Sequence, residues 1–406
     1  MNNILIVSQY FWPENFRIND LAQGLRQRGN RVTVLTGQPN YPEGRFFPGY
    51  GFFKKTQEEY CGMKVVRVPL LPRGNGGISL MLNYLSFALS ACLFAPLRCT
   101  EKYDVIFVFE PSPITVCLPA LLLRKIKQAP VVLWVQDLWP ESLSATGAIR
   151  ARWILKLVEK LVRFIYRGCD IILVQSRAFI PSVEKLGGAR ERVRYFPNSA
   201  EELYKPIILG EDAPGHASLP QGFRVMFAGS IGAAQDFGTI LSAAEKLKQH
   251  ADIQWLILGG GRMLPWVEEQ IEVRALGRVF HLLGQHPVES MPGYFALADT
   301  MLVTLRREPV FALTIPAKIQ SYLACGKPII AALEGEGARI VQESGAGRAV
   351  PSGDADKLAG AVLEMYRMTE AERREMGEHG LRYFSENFER GMLLARLDGW
   401  LNDLKE

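Results

Sequence analysis

The chain has 406 residues and a mass of 45.5 kDa, which is long for one hydrophobic core and predicts two or three domains. Hydrophobic residues make up 48% and charged residues 22%, a globular composition that excludes disordered, collagen-like and coiled-coil proteins. The net charge of +5 is unevenly distributed along the chain. Residues 1–198 carry 26 Lys and Arg against 14 Asp and Glu, whereas residues 199–406 carry 21 Lys and Arg against 28 Asp and Glu. The basic first half favours an anionic partner, either nucleic acid or a membrane surface with a phosphorylated lipid.

Short apolar runs alternate with helical patterns along the chain. Twelve runs predict strands, at 4–8, 31–36, 63–69, 104–109, 130–135, 171–175, 223–227, 253–258, 279–283, 300–305, 328–332 and 348–351. Many are apolar throughout, which is typical of strands covered on both faces and hence of parallel sheets with crossover helices. A stretch rich in proline and glycine after Tyr195 separates two doubly wound α/β halves, in which a ligand is expected at the carboxyl ends of the strands.

Helical segments of the first half carry unusual surfaces. Segment 78–97 is almost wholly apolar with its polar residues on one face, and we expect a buried or surface-dipping crossover helix rather than a membrane span. Segment 152–167 has a basic stripe, which fits either the solvated face of a core helix or an interfacial basic helix. The apolar positions opposite that stripe are Trp153, Leu157, Leu161 and Phe164. Segment 113–127 ends in basic residues, which the helix dipole also favours.

Two segments of the second half favour an anion site. The loop 259–262 (GGGR) follows a strand and either brings backbone amides near a phosphate or makes a tight turn. The segment 314–318 (TIPAK) begins a helix, with Thr314 as the expected N-cap, Pro316 in the first turn and Lys318 close behind. A helix N-terminus with a lysine attracts anions. With the arginines at 262, 306 and 307 from neighbouring strand ends, this predicts a diphosphate site.

The first half has to supply any catalytic base without histidine, because all five histidines follow residue 198. Asp137 comes just after a strand, Glu110 ends the preceding strand, and Glu14 follows the first strand. Asp137 is the best candidate for a base, and a helix or turn cap is the alternative.

The sequence does not support a cofactor site or a metal site. The first strand has no GxGxxG after it, which argues against an NAD or FAD enzyme. The segment 354–356 (DAD) precedes a helical run, so we expect it to cap that helix rather than bind a metal. Six irregularly spaced cysteines exclude a disulfide scaffold and suit a reducing cytoplasm, and the first residues show no secretion signal. We predict no metal and no cofactor.

The chain resembles the GT-B glycosyltransferases of family four over nearly its full length, and it is similar to the WbuB-type L-fucosamine transferases of bacterial O-antigen assembly. The motifs that carry the resemblance are QYFWPENFRIND at 9–20, GQPNYPEG at 37–44, VQDLWPES at 135–142, FAGSIGAAQ at 227–235 and PAKIQSYLACGKP at 316–328. It implies two Rossmann-like domains facing across a cleft. Residues 1–198 with 385–406 crossing back would bind the acceptor, and 199–384 would bind a nucleotide-sugar donor without a metal.

The sequence departs from the family at several positions. Leu313 and Ser321 stand where the family usually has two glutamates, and Ser230 and Gln235 stand for its usual Arg and Lys. Gln136 replaces a histidine that contacts a sugar 6-hydroxyl in some members, which is consistent with a 6-deoxy sugar.

The resemblance and these departures predict transfer of a 2-acetamido-6-deoxyhexose from UDP to a polyprenyl-diphosphate-linked saccharide in O-antigen or capsule assembly. The first candidate for the sugar is N-acetyl-L-fucosamine. We expect a cytoplasmic protein at the inner face of the membrane, with no nucleic acid partner. The alternatives are another nucleotide sugar or acceptor, or a non-catalytic membrane-surface scaffold. The candidate catalytic residues are Asp137, Glu14 and Glu110. The candidate acceptor-binding residues are Asn15, Arg17, Arg73 and Gln136. The candidate donor-binding residues are Gly229, Ser230, Gln235, Gly261, Arg262, Arg306, Thr314, Ile315, Pro316, Lys318 and Ser321.

Overall fold

The computed structural model describes residues 1–74, 76–145, 151–208 and 219–404. The chain divides into two compact units, unit 1 with Met1–Pro197 and Gly391–Glu406, and unit 2 with Asn198–Arg390. The sequence predicts a return to the first domain at residue 385, whereas in the structure the return comes at Gly391, because the helix Glu370–Asn387 packs within unit 2.

Unit 1 is built on an eight-stranded sheet. Its strands are β1 Asn3–Val7, β2 Arg31–Gly37, β3 Gln57–Tyr60, β4 Met63–Val68, β5 Val105–Glu110, β6 Val131–Val135, β7 Ile171–Val174 and β8 Val193–Tyr195. They lie in the order β3-β4-β2-β1-β5-β6-β7-β8, parallel except for β3, which pairs antiparallel with β4. The sequence pattern missed β3 because the edge strand QEEY is charged rather than apolar.

Helices cover this sheet. They are α1 Arg17–Gln27, α2 Gly77–Arg98, α3 Cys117–Lys127, α4 Glu141–Ala145, α5 Arg152–Gly168 and α6 Ile180–Lys185. Within the described part of the chain, α2 is the one helix long and apolar enough to cross a membrane, and 28% of its most apolar stretch is buried. In α5, three of the apolar positions opposite the basic stripe, Trp153, Leu157 and Phe164, are exposed.

Unit 2 has a six-stranded, wholly parallel sheet. Its strands are β9 Phe223–Ala228, β10 Ile253–Leu258, β11 Phe280–Gly284, β12 Thr300–Thr304, β13 Ile329–Ala332 and β14 Gly347–Val350, in the order β11-β10-β9-β12-β13-β14. Alternate residues of β9 enter separate hydrophobic clusters on the two faces, with Val225 and Phe227 in one and Met226 and Ala228 in the other. The apolar strands are therefore covered on both sides, as predicted.

The helices of unit 2 surround this sheet. They are α7 Phe237–Lys246, α8 Leu264–Val273, α9 Met291–Ala296, α10 Pro309–Ala312, α11 Ala317–Ala324, α12 Glu336–Glu343, α13 Ala355–Arg367 and α14 Glu370–Asn387. The last helix, α15 Arg390–Asp403, packs in unit 1, where Leu397 and Leu401 join the core and Trp400 meets the ring of Phe196. The predicted return of the C-terminal helix is confirmed.

Candidate functional site

In unit 1, Asp137 lies just beyond the carboxyl end of β6. Burial raises the pKa of its carboxyl to about 6, against hydrogen bonds from Ser142, Ser112 and the Leu138 amide that favour the charged form. The helix α4 begins only at Glu141, so Asp137 does not occupy its N-cap. A half-exposed carboxylate that titrates near neutral pH is suited to accept a proton.

Glu110, the last residue of β5, is fully buried beside Asp137. Burial first, and then the charge of Asp137, raise the pKa of its carboxyl well above its ordinary value. An environment that favours the protonated carboxyl makes Glu110 a weaker base, so Asp137 is favoured over Glu110 in that role.

Glu14 fastens one loop to another. Its Oε1 accepts hydrogen bonds from the backbone amides of Asn40 at 2.8 Å and Tyr41 at 2.7 Å. Burial raises its pKa to about 7, and these amides oppose the rise. The contacts of Glu14 support a structural role, and its catalytic role stays a prediction.

Of the predicted acceptor-binding residues, two make contacts with neighbouring loops or strands of the sheet edge, and two lie on the surface. Arg73 lies with its guanidinium 5.1 Å from the ring centre of Tyr41, and its backbone amide donates to Asn40. Gln136 follows β6, and its backbone amide donates to the Glu110 carbonyl at 2.9 Å. Asn15 is exposed and Arg17 half-exposed on the loop after β1 and at the start of α1.

Sequence reasoning missed aromatic residues at this edge. Tyr10 stacks on Phe16 with ring centres 4.7 Å apart and meets Tyr41 edge-on at 5.7 Å. Tyr84 from α2 lies beside Tyr10 and Ser112, within reach of the Asp137 charge. The motif after β1 contains Tyr10 and Phe16, but no pattern in the apolar segment 78–97 marks Tyr84 as a site residue.

In unit 2, Lys318 is the central cation of the predicted donor site. Its Nζ lies 3.5 Å from the ring centre of Phe227, at the first turn of α11. Burial lowers the pKa of this lysine to about 7, and among the described residues no carboxylate forms an ion pair with it. The site thus offers a cation without an anion, beside a helix N-terminus.

Gly229 makes room for this lysine. A Cβ on Gly229 would come within 2.6 Å of Lys318 Cε, and the residue has φ +137°. The Ala228 amide donates to the Tyr322 hydroxyl at 3.3 Å, which ties α11 to the end of β9. The last residues of β9 and the first turn of α11 are therefore held together around the ammonium group.

The glycine loop after β10 packs against the loop after β9. A Cβ on Gly259, at φ +139°, would lie 1.9 Å from the Gly229 carbonyl oxygen, and one on Gly261 would lie 2.4 Å from the Ile231 carbonyl oxygen. The Ile231 amide donates to Gly260 at 2.9 Å. The tight turn is therefore present, and its glycines allow two backbones to approach.

Other predicted donor-binding residues surround this edge. Arg262, Arg306 and Ser230 are exposed, and the Arg306 amide donates to Ala234 at 2.8 Å. The carbonyl of Gln235 accepts a hydrogen bond from the Thr304 hydroxyl. The loops after β9 and β12 are thereby joined, and the exposed side chains of Arg262 and Arg306 are accessible to a ligand.

The start of α11 differs from the prediction in the positions of Thr314 and Pro316. Thr314 is not its N-cap, because Pro316 holds that position and the Thr314 hydroxyl donates to the Phe311 carbonyl at 3.0 Å. Ile315 is buried in the core. The Ser321 hydroxyl donates to the Ala317 carbonyl one turn earlier, at 3.3 Å.

Within the segment 354–356, Asp354 caps the following helix, as predicted. The Lys357 amide donates to Asp354 Oδ1 at 2.9 Å at the start of α13. In the ranges that the structure describes, no group of three or more His, Cys, Asp or Glu side chains is placed to hold a metal.

The sequence matches two protein families, one in each unit. Residues 15–199 match the glycosyl transferase 4-like domain, and residues 222–368 match the glycosyl transferases group 1. Among curated proteins, the chain is 25% identical over 316 residues to the putative colanic acid biosynthesis glycosyl transferase WcaI of Escherichia coli K12, covering 76% of each. It is 31% identical over 241 residues to the probable glycosyltransferase WbjE of Pseudomonas aeruginosa, covering 58% of this chain and 59% of that protein.

Solved structures share the fold at low sequence identity. Sucrose-phosphate synthase from Thermosynechococcus elongatus superposes with a TM-score of 0.74 at 19% identity, covering 99% of this chain and 98% of that one. HepE of Anabaena in complex with UDP gives a TM-score of 0.71 at 16% identity, covering 99% and 100%. The predicted fold is confirmed, whereas the sugar, donor and acceptor stay predictions. The chain is a glycosyltransferase of the GT-B fold, with a glycosyl transferase 4-like domain in unit 1 and a group 1 domain in unit 2.

Proposed function

We propose that this glycosyltransferase moves a 2-acetamido-6-deoxyhexose, with N-acetyl-L-fucosamine as the first candidate, from a UDP-linked donor to a polyprenyl-diphosphate-linked saccharide. The product would enter O-antigen or capsule assembly. The name of WcaI, a putative colanic acid biosynthesis glycosyl transferase, supports a role in surface polysaccharide synthesis, and the name of WbjE supports glycosyl transfer. The complex of HepE with UDP supports a uridine nucleotide as the leaving group.

The observation that carries the proposal is the unpaired cation at the start of α11. Lys318 lies half-buried on the ring of Phe227 and beside Gly229, with no carboxylate partner among the described residues. Burial of an ammonium group without a counter-ion is unfavourable, so the site gains stability when an anion enters. A diphosphate fits because the helix N-terminus and exposed Arg262 and Arg306 can share its charge.

The chemistry divides between the two units. As the bond between the sugar and UDP breaks, negative charge grows on the diphosphate, where Lys318 and the arginines stabilise it. The acceptor hydroxyl loses its proton as its oxygen bonds to the sugar, and Asp137 takes that proton. We propose that no metal ion is needed, so turnover should not change when a chelator is added.

The identity of the sugar rests on a substitution. Gln136 occupies the position where some members of the family have a histidine against the sugar 6-hydroxyl, and a 6-deoxy sugar needs no such contact. We further propose that the enzyme works in the cytoplasm, peripherally at the inner face of the membrane, because its acceptor is anchored there.

Calorimetric titration of UDP into the full chain tests the diphosphate site. Lys318→Met should raise the dissociation constant roughly ten- to a hundredfold, since a charge-assisted contact contributes about 1.5–3 kcal/mol. Lys327→Met is the matched control: this lysine lies just after the other end of α11, burial lowers its pKa too, and its Nζ donates to the Ala296 carbonyl. The control should lower the melting temperature and leave UDP affinity unchanged.

A donor panel separates the proposal from its alternatives. UDP-N-acetyl-L-fucosamine should be consumed faster than UDP-N-acetylglucosamine, GDP-sugars or dTDP-sugars in the presence of a lipid-linked acceptor. Turnover of another sugar alone would retain the fold and the diphosphate site but replace the donor. Failure of UDP, GDP and dTDP alike to bind the wild-type protein would favour the non-catalytic scaffold instead.

A further inference from the structure

The helix α2 exposes large apolar side chains to solvent, whereas its buried side carries Asn83 together with Phe87 and three alanines. Seven large apolar side chains are between 41% and 74% exposed along one side of it, over a length of about 28 Å. They are Ile78, Met81, Leu82, Leu85, Leu89, Leu93 and Leu97. A helix that only packs on a soluble core would carry polar or charged side chains along this outer side.

Hydrogen bonds on the inner side fix this orientation. The Asn83 amide group donates to the Leu71 carbonyl at 2.6 Å, and the Leu71 amide donates to Ser86 Oγ at 2.9 Å. The Ser90 hydroxyl donates to Pro69. Turning the apolar side inward, or withdrawing the helix to span a bilayer, would break these bonds, so the apolar face stays outward.

Two neighbouring helices extend this surface. The crossovers from β4 to β5, β5 to β6 and β6 to β7 all step in one direction across the sheet, which places α2, α3 and α5 on the same face. Exposed apolar side chains on α3 and α5 are Leu122, Ile126, Trp153, Leu157 and Phe164. We call the outward side of α2, α3 and α5 the three-helix face.

The charge of the three-helix face is strongly positive. The three helices contain nine Lys and Arg and one acidic residue, Glu159, which pairs with Arg163 at 2.7 Å. The exposed cations beside the apolar side chains of α5 include Lys156 and Lys160. Apolar side chains bordered by cations, with an exposed tryptophan, match the interface of a bilayer that contains anionic lipid.

We infer that the three-helix face docks in the plane of an anionic lipid bilayer, with α2 lying in the interface rather than crossing it. The inference deepens the proposed function and rests on it for the reason to dock, since a lipid-linked acceptor is met at a membrane. The inner side of the same helix carries Tyr84 beside Ser112 and within reach of the Asp137 charge. Docking therefore brings the candidate base of unit 1 close to the surface that holds the acceptor.

Vesicle binding of the full chain tests the apolar part of the face. Wild-type protein should float with vesicles of phosphatidylcholine and about one-third phosphatidylglycerol. The double change Leu89→Gln and Leu93→Gln should reduce the partition coefficient about tenfold or more, because these side chains enter the interface. Val273→Gln is the matched control, since Val273 is 72% exposed on α8 of unit 2, and it should bind like wild type.

The basic part of the face has its own pair of variants. Lys156→Ala with Lys160→Ala should weaken binding to these vesicles roughly ten- to thirtyfold, and added salt should release the wild-type protein. Arg278→Ala with Arg382→Ala removes the same charge from exposed positions of unit 2 and should leave binding unchanged. Equal binding by all variants, or wild-type protein that stays in solution at low salt, would overturn the inference.

Activity assays separate this inference from the proposed function. With a short-chain acceptor in solution, the Leu89/Leu93 variant should turn over like wild type, whereas with a vesicle-borne acceptor its rate should fall with its binding. Vesicle binding without transfer to either acceptor would support the face and refute the proposed acceptor. Self-association that the variant abolishes, in the absence of vesicle binding, would make a second copy of the chain the occupant and overturn the lipid assignment.

Discussion

The two units hold the carboxyl ends of their sheets in different ways. In unit 1, side chains fasten the loops: Glu14 binds two backbone amides of the loop after β2, and the buried Arg67 donates to the carbonyls of Gly37 and Trp12. In unit 2, the loops after β9 and β10 join backbone to backbone, through glycines that leave no gap for a Cβ. One edge depends on charge and hydrogen bonds, and the other depends on steric fit.

Burial also shifts pKa values in opposite directions at the two edges. It raises the pKa of the Asp137 carboxyl to about 6 and lowers the pKa of the Lys318 ammonium to about 7. Both shifts come from the cost of burying a charged group. At neutral pH unit 1 therefore presents a carboxylate able to take up a proton, and unit 2 presents a lysine whose charged form a bound anion would stabilise.

The largest effect is expected at Asp137. Asp137→Asn keeps the shape but removes the proton acceptor, so turnover should fall about 10²–10⁴-fold while UDP affinity stays constant. Because only the ionised carboxylate accepts a proton, the wild-type kcat/KM should rise with pH through about 6. Initial rates between about pH 5 and 8 give both quantities.

A second aspartate of unit 1 provides the control. Asp170 precedes β7 at the opposite edge of the sheet, where it pairs with Arg124 at 2.7 Å and accepts from the Val131 amide at 2.8 Å. Asp170→Asn should lower the melting temperature without changing turnover. If the Asn variant of Asp137 works normally instead, the proton acceptor is Glu14, Glu110 or the substrate itself.

The close packing of the loops at the edge of unit 2 can be disrupted by substituting one glycine. Gly259→Ala forces a Cβ against the Gly229 carbonyl at a positive φ, so unit 2 should lose about 2–4 kcal/mol of stability and bind UDP more weakly. Gly277→Ala has no atom within 4 Å of the new Cβ and should be neutral or up to about 1 kcal/mol more stable. Urea unfolding measures both, and equal stability of the two variants would show that the loops can separate freely.

The contrast between the units also explains what the sequence could predict. The twelve apolar runs all correspond to strands, since a strand buried on both faces leaves a local signal. Gly229, the glycine loop and the cap at Asp354 could also be predicted, because each has a signal in the local sequence. In unit 2 the signals lie close together in the chain.

In unit 1 the decisive contacts join distant segments. The link between Gln9 and Asn83, at 2.7 Å, and the bonds of Glu14 to Asn40 depend on the assembled sheet. No local pattern reveals them, and none shows that Tyr84 faces inward. The sequence pattern also leaves the exposure of Trp153 open, because a periodic apolar stripe looks the same whether protein or another apolar phase covers it.

The pH dependence of UDP binding sharpens the comparison of the two shifts. Lys318 carries its charge below about pH 7 in the free protein and loses it above, so the UDP dissociation constant should rise by up to about tenfold per pH unit above 7. Phosphate groups with a pKa of about 6 are almost fully ionised in this pH range, so their own titration contributes little to the pH dependence. Calorimetry between about pH 7 and 9 tests this; the same slope in Lys318→Met would assign the proton to another group.

The smallest effect is expected at Ser321, where the family usually has a glutamate. Its hydroxyl proton is engaged by the Ala317 carbonyl, so the oxygen can only accept a bond from a ligand. Ser321→Ala should change the UDP dissociation constant by no more than about twofold, and it should stabilise unit 2 by about 0.5 kcal/mol because alanine favours the helix. Ser385 in α14 makes the same bond to Leu381, at 2.9 Å, and Ser385→Ala is therefore the matched control for the helix effect. A tenfold loss of UDP affinity in the Ser321 variant alone would show that this hydroxyl contacts the donor and that the edge of unit 2 also depends on a side chain.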